Sequence, residues 1–404
     1  MNDAEFIDLC AWISDSGLSG QSETATLDGF CQRALDVGLP LARGNVVIDT
    51  LHPVYEGRAF VWKRTIRKTS LTEFGRGSVN IQRWENSPYY YLELSGEPLL
   101  RRRLTADTEK EFSVFPELRA DGLTDYVAIT NRFAAEGIVG EMDCVYSSWA
   151  TDAPMGFSED DVTDLRRLTP LLALTLKTAS LARIAGTLVE TYLGRDAGRR
   201  VLDGRIARGV ADRIEAVLWF SDLRGYTRIT DTAAPEEIIP LLNDYADAII
   251  SAIHERQGDV LKFMGDGILA IFTGEDRGRA CESALAAAAS ARLHVAALNQ
   301  RRASANLPNT EMYLGLHIGE VFYGNIGSKD RLDFTVVGPA VNEVSRIASM
   351  CASVDQTLLV SSAFASALGD SRSRLVSVGR YALRGVRRPQ ELYTLDSSAD
   401  ADKG

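Results

Sequence analysis

The order of apolar runs in the second half of the chain constrains the fold more than any other feature of the sequence. A buried-strand pattern comes first. Two helical stripes then flank a hairpin pattern, and the pattern of a strand pair follows them. The predicted elements are residues 216–220, 235–256, 260–272, 280–299, 313–323 and 341–350. Their order, β-α-β-β-α-β with a last helix, predicts a ferredoxin-like α+β domain over residues 211–396.

The first half of the chain has a different pattern. Short runs rich in aromatic and β-branched residues, at 44–48, 58–64 and 89–94, predict strands. Helical segments lie between them. We therefore expect a small α+β sensor domain over residues 1–157.

Residues 158–210 join these two regions and have a helical pattern. Ser158 precedes three acidic residues, which is typical of a helix start. Apolar residues then recur at steps of three and four, at Leu165, Leu168, Leu172 and Leu176. The stripe indicates either a core-facing amphipathic helix or a dimerising signalling helix. Its length and its place between two domains favour the signalling helix.

The composition excludes several classes of protein. A net charge of −11 leaves no basic surface of the kind that binds nucleic acid. The five cysteines are widely spaced and form no Cys-x-x-Cys pair, which predicts reduced thiols and no zinc site. An acidic start and the lack of about 18 consecutive apolar residues predict a cytoplasmic protein with no membrane span. The polar residues 397–404 predict a flexible tail.

Two aspartates occupy positions where carboxylates suit a metal ion. The run 220–227, FSDLRGYT, puts Asp222 at a strand end and Gly225 in a turn whose backbone N–H groups suit phosphates. The run 258–267, GDVLKFMGDG, puts Asp266 at a hairpin tip. Taken alone, a helix entry and a simple turn explain each run as well. If the strands pair, the carboxylates converge and can hold two ions roughly 3.5–4 Å apart.

A third run, residues 334–346, reads FTVVGPAVNEVSR. Asn342 and Arg346 are four residues apart and so share one helix face. An amide and a guanidinium presented together suit a ribose oxygen and a phosphate. On spacing alone, a surface amide and a surface arginine explain the pair better.

In this order and spacing, the three runs together resemble the catalytic domain of class III adenylyl and guanylyl cyclases. The resemblance covers residues 216–395, and it is specific because three separate patterns occur together. It implies that Asp222 and Asp266 bind Mg²⁺ or Mn²⁺, two ions per active site. It also implies that Asn342 orients the ribose and that Arg346 stabilises the transition state.

The same resemblance implies the reaction and the assembly. The ribose 3′-hydroxyl of ATP attacks the α-phosphate, which gives 3′,5′-cyclic AMP and pyrophosphate. In the family the site lies between two subunits, so a homodimer is implied. Arg384 falls where the family often has a phosphate-binding lysine, and Gly225 lies in the substrate-binding turn.

Two positions bear on the choice of base. Lys262 matches the residue that contacts the adenine ring, and Thr335 occupies the second purine-reading position. Guanylyl cyclases typically carry Glu and Cys there, whereas a Lys/Thr pair is similar to the bacterial type. Lysine only donates hydrogen bonds, which suits the acceptor N1 of adenine, since guanine has a donor at that position. The pair therefore favours ATP.

The first half resembles a GAF-type sensor domain. Residues 149–176 carry this resemblance, because many GAF domains end in a strand, an FSxxD helix entry and a leucine-rich helix. It implies an unknown small-molecule or protein signal at the N-terminal domain. It implies nothing about which ligand binds.

Two other functions remain open on the sequence. One is a catalytically inactive ATP-sensing regulator, although every matched catalytic position is present. The other is a cyclase of other nucleotide specificity, guanylate or diguanylate. The hairpin reads MGDG and lacks the GGDEF-type signature of diguanylate cyclases.

Overall fold

A computed structural model describes residues 1–133, 142–386 and 388–396 of the chain. Contacts divide the chain into two compact units, Met1–Leu188 and Val189–Gly404, and this division falls inside the predicted linker. The predicted tail, 397–404, lies outside the described residues.

The N-terminal unit is a mixed α+β domain built on one antiparallel sheet. Its strands lie in the order β3-β2-β1-β6-β5-β4. The elements are α1 (Asp3–Leu18), α2 (Glu23–Asp36), β1 (Arg43–Asp49), β2 (Tyr55–Lys63), β3 (Lys68–Gly75), α3 (Ser78–Glu85), α4 (Pro88–Ser95), β4 (Leu99–Arg103), α5 (Phe115–Ala120), β5 (Asp125–Arg132), β6 (Cys144–Thr151) and α6 (Glu159–Leu193).

The two faces of this sheet are covered differently. One face packs against α1, α2 and α6, and its largest fully buried side chains are Trp62, Trp149 and Phe60. The other face carries α4 and α5, with Phe115 and Leu118 in a smaller cluster. The strands predicted at 44–48 and 58–64 are β1 and β2.

The strand predicted at residues 89–94 is wrong, because this segment is helix α4. The Ser87 side chain accepts from the backbone N–H of Tyr90, and Pro88 occupies the first helical turn. Gly96 ends the helix in the left-handed conformation, with φ of 72°. These cap residues decide the local structure against the strand preference of three consecutive tyrosines.

Helix α6 contains the predicted leucine stripe. Leu165, Leu168, Leu172 and Leu176 are all buried in the N-terminal core, as a core-facing helix requires. Within the described part of the chain, α6 is the one helix long and apolar enough to cross a membrane. That criterion is weak evidence, because the core helix of a globular domain also meets it.

The C-terminal unit is built on an eight-stranded sheet. The order is β13-β14-β12-β10-β7-β9-β8, and β11 pairs with β10. The elements are α7 (Arg195–Leu202), β7 (Ala211–Leu223), α8 (Tyr226–Thr232), α9 (Pro235–Glu255), β8 (Asp259–Met264), β9 (Gly267–Phe272), α10 (Arg277–Ser304), β10 (Met312–Gly327), β11 (Leu332–Val337), α11 (Pro339–Met350), β12 (Leu358–Ser361), α12 (Ser362–Ala367), a 3₁₀ helix (Gly369–Arg374), β13 (Leu375–Tyr381) and β14 (Gln390–Leu395).

The predicted β-α-β-β-α-β order is confirmed in this unit. It corresponds to β7, α9, β8, β9, α10 and β10, with the four strands arranged β10-β7-β9-β8. The predicted strand pair at 313–323 is wrong in one respect, since β10 is a single strand that runs on to Gly327 and pairs with β11 beyond that segment. Helices α9 and α10 cover one face of the sheet, and α11 packs on the other.

Candidate active site

The end of β7 and the β8–β9 hairpin bring Asp222 and Asp266 together. Asp222 is the penultimate residue of β7. Strand β9 pairs with β7 as far as Ser221 opposite Ile268, which sets the hairpin tip beside the end of β7. The backbone N–H of Leu223 donates to Oδ2 of Asp266 at 3.0 Å. The convergence of the two aspartates is thus a feature of the fold.

The two turns that hold these aspartates both need a glycine. Gly265 precedes Asp266 with φ of 70°, and Gly225 begins helix α8 with φ of 64°. Side chains with a Cβ rarely adopt this left-handed region. The glycines therefore let the chain turn sharply next to each carboxylate.

The carboxylate of Asp222 has no ion-pair partner among the residues that the structure describes. Its Oδ1 is buried and has no hydrogen-bond partner among the described residues. Burial, and after it the nearby carboxylate of Asp266, raises the pKa of Asp222 to about 6. An orphaned buried oxygen beside a second carboxylate fits a divalent cation. The described residues contain no cluster of three or more metal-binding side chains. A cation here would take its other ligands from substrate or water.

Lys262 lies on the same sheet face as Asp222. Side chains alternate along a strand, so Asp222 shares the face of Leu218, opposite the face that α9 and α10 cover. Lys262 is paired with Leu269, which also belongs to the Leu218 face. Helix α11 contributes Val344 to the same cluster. The predicted residues on β7, β8 and α11 therefore belong to elements around one face.

Lys262 and Thr335 have different surroundings. The Nζ of Lys262 lies 3.6 Å from Oδ2 of Asp333, on strand β11. Thr335 is two residues further along β11 and only 5% exposed. Its Oγ1 is buried without a partner in the described part of the chain. Both predicted base-reading residues are therefore close to β11, although the Thr335 hydroxyl is covered in this conformation.

Helix α11 presents Asn342 and Arg346. It begins at Pro339, a residue suited to the first helical turn. The side chain of Asn342 is exposed, whereas Nη1 of Arg346 is buried and has no partner among the described residues. A Cβ at Gly385 would come within 3.2 Å of that Nη1, so the turn that contains Arg384 contacts the Arg346 guanidinium. Arg384 itself is exposed.

The predicted site residues form separate groups within one chain. Across the described residues, no hydrogen bond or ion pair joins Asp222 or Asp266 to Lys262, Asn342 or Arg346. The sequence reasoning missed Asp333 and Gly385. Asp333 precedes Thr335 by two residues, so strand alternation was the signal that places it on the Thr335 side of β11.

Comparison with known families finds a match in the part of the chain that contains these site residues. Residues 211–397 match the family described as "Adenylate and Guanylate cyclase catalytic domain". The C-terminal domain belongs to this family. The three runs that resemble the class III cyclases all lie inside the matched residues of this cyclase domain.

Relatives of the cyclase domain occur in mycobacteria and among solved structures. An uncharacterized protein of Mycobacterium tuberculosis (strain CDC 1551 / Oshkosh) is 32% identical over 210 residues, which are 50% of this chain and 36% of that protein. The chain thus spans little more than a third of that relative. The structure of the guanylyl cyclase Cya2 is 32% identical, with a TM-score of 0.41 over 46% of this chain and 93% of that chain. The adenylyl cyclase CyaB from P. aeruginosa is 24% identical, with a TM-score of 0.43 over 46% and 96%.

Proposed function

We propose that the protein is an adenylate cyclase that converts ATP to 3′,5′-cyclic AMP and pyrophosphate. The observation that carries this proposal is the pair of aspartates Asp222 and Asp266 inside a domain of the cyclase family. The Oδ1 of Asp222 is buried there and has no hydrogen-bond partner among the described residues. The reaction forms a bond between the ribose 3′-oxygen and the α-phosphorus and breaks the bond to pyrophosphate. The 3′-hydroxyl loses its proton as the bond forms.

Asp222 and Asp266 would hold the Mg²⁺ or Mn²⁺ ions. When bound, such ions lower the pKa of a hydroxyl nucleophile and screen phosphate charge. The chain's own contribution is to keep two carboxylates at the end of β7, one of them fixed by the Leu223 N–H. Gly225, in the turn that follows, leaves room for a phosphate to approach the backbone.

Arg346, Asn342 and Arg384 would act on the ribose and the phosphates. The unpartnered Nη1 of Arg346 is a donor available to an oxygen that gains charge in the transition state. Exposed Asn342 lies one helical turn earlier and suits the ribose. Arg384 would contact the terminal phosphates, since its turn touches the Arg346 guanidinium.

Lys262 and Thr335 would read the base. The ammonium of Lys262 donates to N1 of adenine, and the Thr335 hydroxyl, which has no partner among the described residues, supplies a second hydrogen bond after it is uncovered.

One contact favours GTP as a second candidate substrate. The carboxylate of Asp333, at 3.6 Å from the lysine, is an acceptor that suits the N1–H of guanine.

A homodimer would complete the site. No hydrogen bond or ion pair joins the aspartate pair to Asn342 or Arg346 among the described residues, as expected for groups that meet across two copies. Large apolar side chains next to Lys262 and on the β10–β11 pair are exposed, namely Phe263, Met264, Phe322 and Val337. Exposed apolar residues beside a site favour an interface. Two-fold symmetry would then give two equivalent sites.

We further propose that the N-terminal domain, of GAF-like type, regulates the cyclase domain through the 158–210 segment in the cytoplasm. The resemblance of residues 149–176 to a GAF domain supports this assignment. Helix α6, Glu159–Leu193, is continuous in sequence across the boundary of the two units at Leu188 and Val189.

A turnover assay on the purified full chain tests the proposal. ATP and GTP are supplied separately with Mg²⁺ or Mn²⁺, and the cyclic nucleotides are separated by chromatography. We expect cyclic AMP as the main product, and its loss in Asp222→Asn. Cyclic GMP as the main product would favour the guanylate alternative, and cyclic di-GMP would indicate a diguanylate cyclase. No product with either metal would indicate a non-catalytic nucleotide sensor.

A further inference from the structure

The N-terminal domain contains a large cavity on one face of its sheet. Its volume is about 1180 Å³, and it lies between strands β1, β2, β3 and β6 and the helices α3, α4 and α5. The opposite face of the sheet is filled by the apolar core. Typical small-molecule sites have volumes of roughly 300–1,000 Å³. The cavity is therefore large enough for an organic ligand.

Aromatic side chains and hydroxyls form one wall of this cavity. The rings of Trp84 and Tyr146 meet edge to face with centroids 5.1 Å apart, and Tyr89 lies 5.5 Å from Tyr146. The Tyr89 hydroxyl accepts a hydrogen bond from Nδ2 of Asn45 at 2.8 Å and contacts the Ser148 hydroxyl at 2.8 Å. The Oδ1 of Asn45 is buried and has no partner among the described residues. The wall thus offers ring surfaces and hydroxyl groups to a ligand.

The charges that line the cavity are mostly negative. Five carboxylates line it, Asp49, Glu56, Glu93, Glu117 and Asp143. Three cations line it, Arg43, Lys63 and Arg83.

Two of those cations are already compensated. Arg43 binds Glu117 at 2.9 Å, and Lys63 binds Asp121 at 2.9 Å. Arg83 lies on the exposed side of the short helix α3. Two of the three cations in the lining are therefore paired with a carboxylate.

The acidic end of the cavity has one cation beside it, because Nη2 of Arg132 donates to the Glu93 carbonyl oxygen at 3.3 Å, but this contact is not an ion pair. Glu93 and Asp143 have no ion-pair partner in the described part of the chain. Both line the cavity together with Tyr146, and Asp143 directly precedes β6, the strand that carries Tyr146. Their charges also help to raise the pKa of Tyr146, after the larger effects of burial and of Cys144. Carboxylates next to aromatic faces attract a positive charge through both the ionic and the cation–π interaction.

We propose that this cavity binds an organic amine cation with an apolar body. The ammonium group would lie at the acidic end, near Asp143, Glu93 and the Tyr146 ring, while the apolar body fills the space over β1 and β2. This site is independent of the cyclase reaction, so its test does not use turnover.

Three probes of matched size test the charge preference. They are 4-phenylbutylamine, 4-phenylbutanol and 4-phenylbutyrate, and their binding to the full chain is measured by isothermal titration calorimetry. We expect the amine to bind at least about tenfold more tightly than the alcohol, and the carboxylate to bind most weakly. Equal affinities, tighter binding of the carboxylate, or no detectable binding of the amine would contradict the proposal.

Variants locate the binding site. The double change Glu93→Gln and Asp143→Asn is expected to weaken amine binding about tenfold and to leave the alcohol unchanged. Glu85→Gln, on α3 but outside the lining, is the matched control and should leave all three affinities unchanged. Ser70→Trp places a large ring in the cavity from an exposed strand position and should weaken every probe. Circular dichroism spectra confirm that each variant is folded. An amine affinity that the double variant does not change would overturn the assigned site.

Discussion

Asp222 is the single residue on which the metal assignment depends most. Replacing Asp222 or Asp266 by Asn removes one charge at nearly constant volume. We expect turnover to fall at least about a hundredfold, since a bound metal contributes several kcal/mol to such reactions. Titration with Mn²⁺ should show weakened metal binding in both variants. Asp247→Asn, an exposed change on α9, is the control, and near-normal turnover in Asp222→Asn would remove that residue from the metal site.

The choice of base is also decided by single residues. Lys262→Glu with Thr335→Cys reverses the hydrogen-bonding polarity at the proposed base site, so we expect kcat/KM for ATP to fall more than for GTP. A glutamate at 262 would face Asp333, which now lies 3.6 Å from the lysine amine. The pair of changes is therefore made both alone and with Asp333→Asn. An unchanged ATP/GTP ratio in both backgrounds would show that these positions do not read the base.

The sequence patterns predicted the turns that hold Asp222 and Asp266, but they did not predict the surroundings of Lys262 and Thr335. Asp222 and Asp266 lie in short runs that also fix their turns, and their convergence was expected only if the two strands pair, as β7 and β9 do. Asp333 reaches Lys262 only because β11 approaches β8 in space, about seventy residues away in sequence. The burial of the Thr335 hydroxyl depends on the same tertiary packing and has no local signal.

Among the structural elements, helix α11 can be displaced by a single methyl group. A Cβ at Gly315 on β10 would lie 2.7 Å from both the Ala348 nitrogen and the Val344 carbonyl oxygen. Gly315→Ala should push α11 away from the sheet, costing about 1–3 kcal/mol in the free energy of unfolding. Because α11 carries Asn342 and Arg346, kcat should fall more than KM rises. Gly186→Ala, inside helix α6 where a Cβ meets no atom within 4 Å, is the control. It should raise the free energy of unfolding by up to about 1 kcal/mol and leave kcat and KM unchanged.

Strand β10 also carries a buried histidine with a predictable pH effect. Burial lowers the pKa of His317 to about 4, and its Nδ1 lies 2.8 Å from the Ser361 hydroxyl. Glu343 is 3.5 Å from Nε2, but burial keeps the imidazole neutral near pH 7, so this contact is not an ion pair there. The unfolded chain binds a proton near pH 6.5 and the folded chain does not until about pH 4. Stability should therefore fall by about 2 kcal/mol between pH 7 and pH 5.

His317→Asn isolates this effect. Burial also raises the pKa of Glu343, which acts in the opposite direction, so the comparison must be between variant and wild type. Denaturant unfolding at pH 7 and pH 5 should show a smaller loss of stability in the variant. An equal loss in both proteins would mean that His317 is protonated in the folded state.

Element order was easier to predict than element type. The long helices and the hairpin of the cyclase domain have strong periodicity, and their β-α-β-β-α-β order is confirmed. The segment 89–94 was predicted as a strand because Tyr favours strands, but Ser87, Pro88 and Gly96 fix a helix there. Local cap signals thus outweighed side-chain preference in a short segment.

At the scale of the whole molecule, the proposed site needs two copies of the chain. Phe322 on β10 and Val337 on β11 lie opposite each other, and both side chains are exposed. A dimer interface would cover them. Phe322→Asp should weaken the dimer, as measured by sedimentation, and make activity depend more steeply on protein concentration. A variant that stays dimeric with normal activity would move the interface elsewhere.

Mixing two inactive variants tests the shared active site most directly. Asp222→Ala and Arg346→Ala should each be inactive alone, because every site in such a dimer lacks one essential group. In a mixed dimer, one site receives both lesions and the other receives an intact Asp222 from one copy and an intact Arg346 from its partner. Random exchange makes half of the dimers mixed, so activity should return to about a quarter of the wild-type value. Cyclic AMP production that stays at the level of the single variants, after complete subunit exchange, would contradict a site shared between two copies.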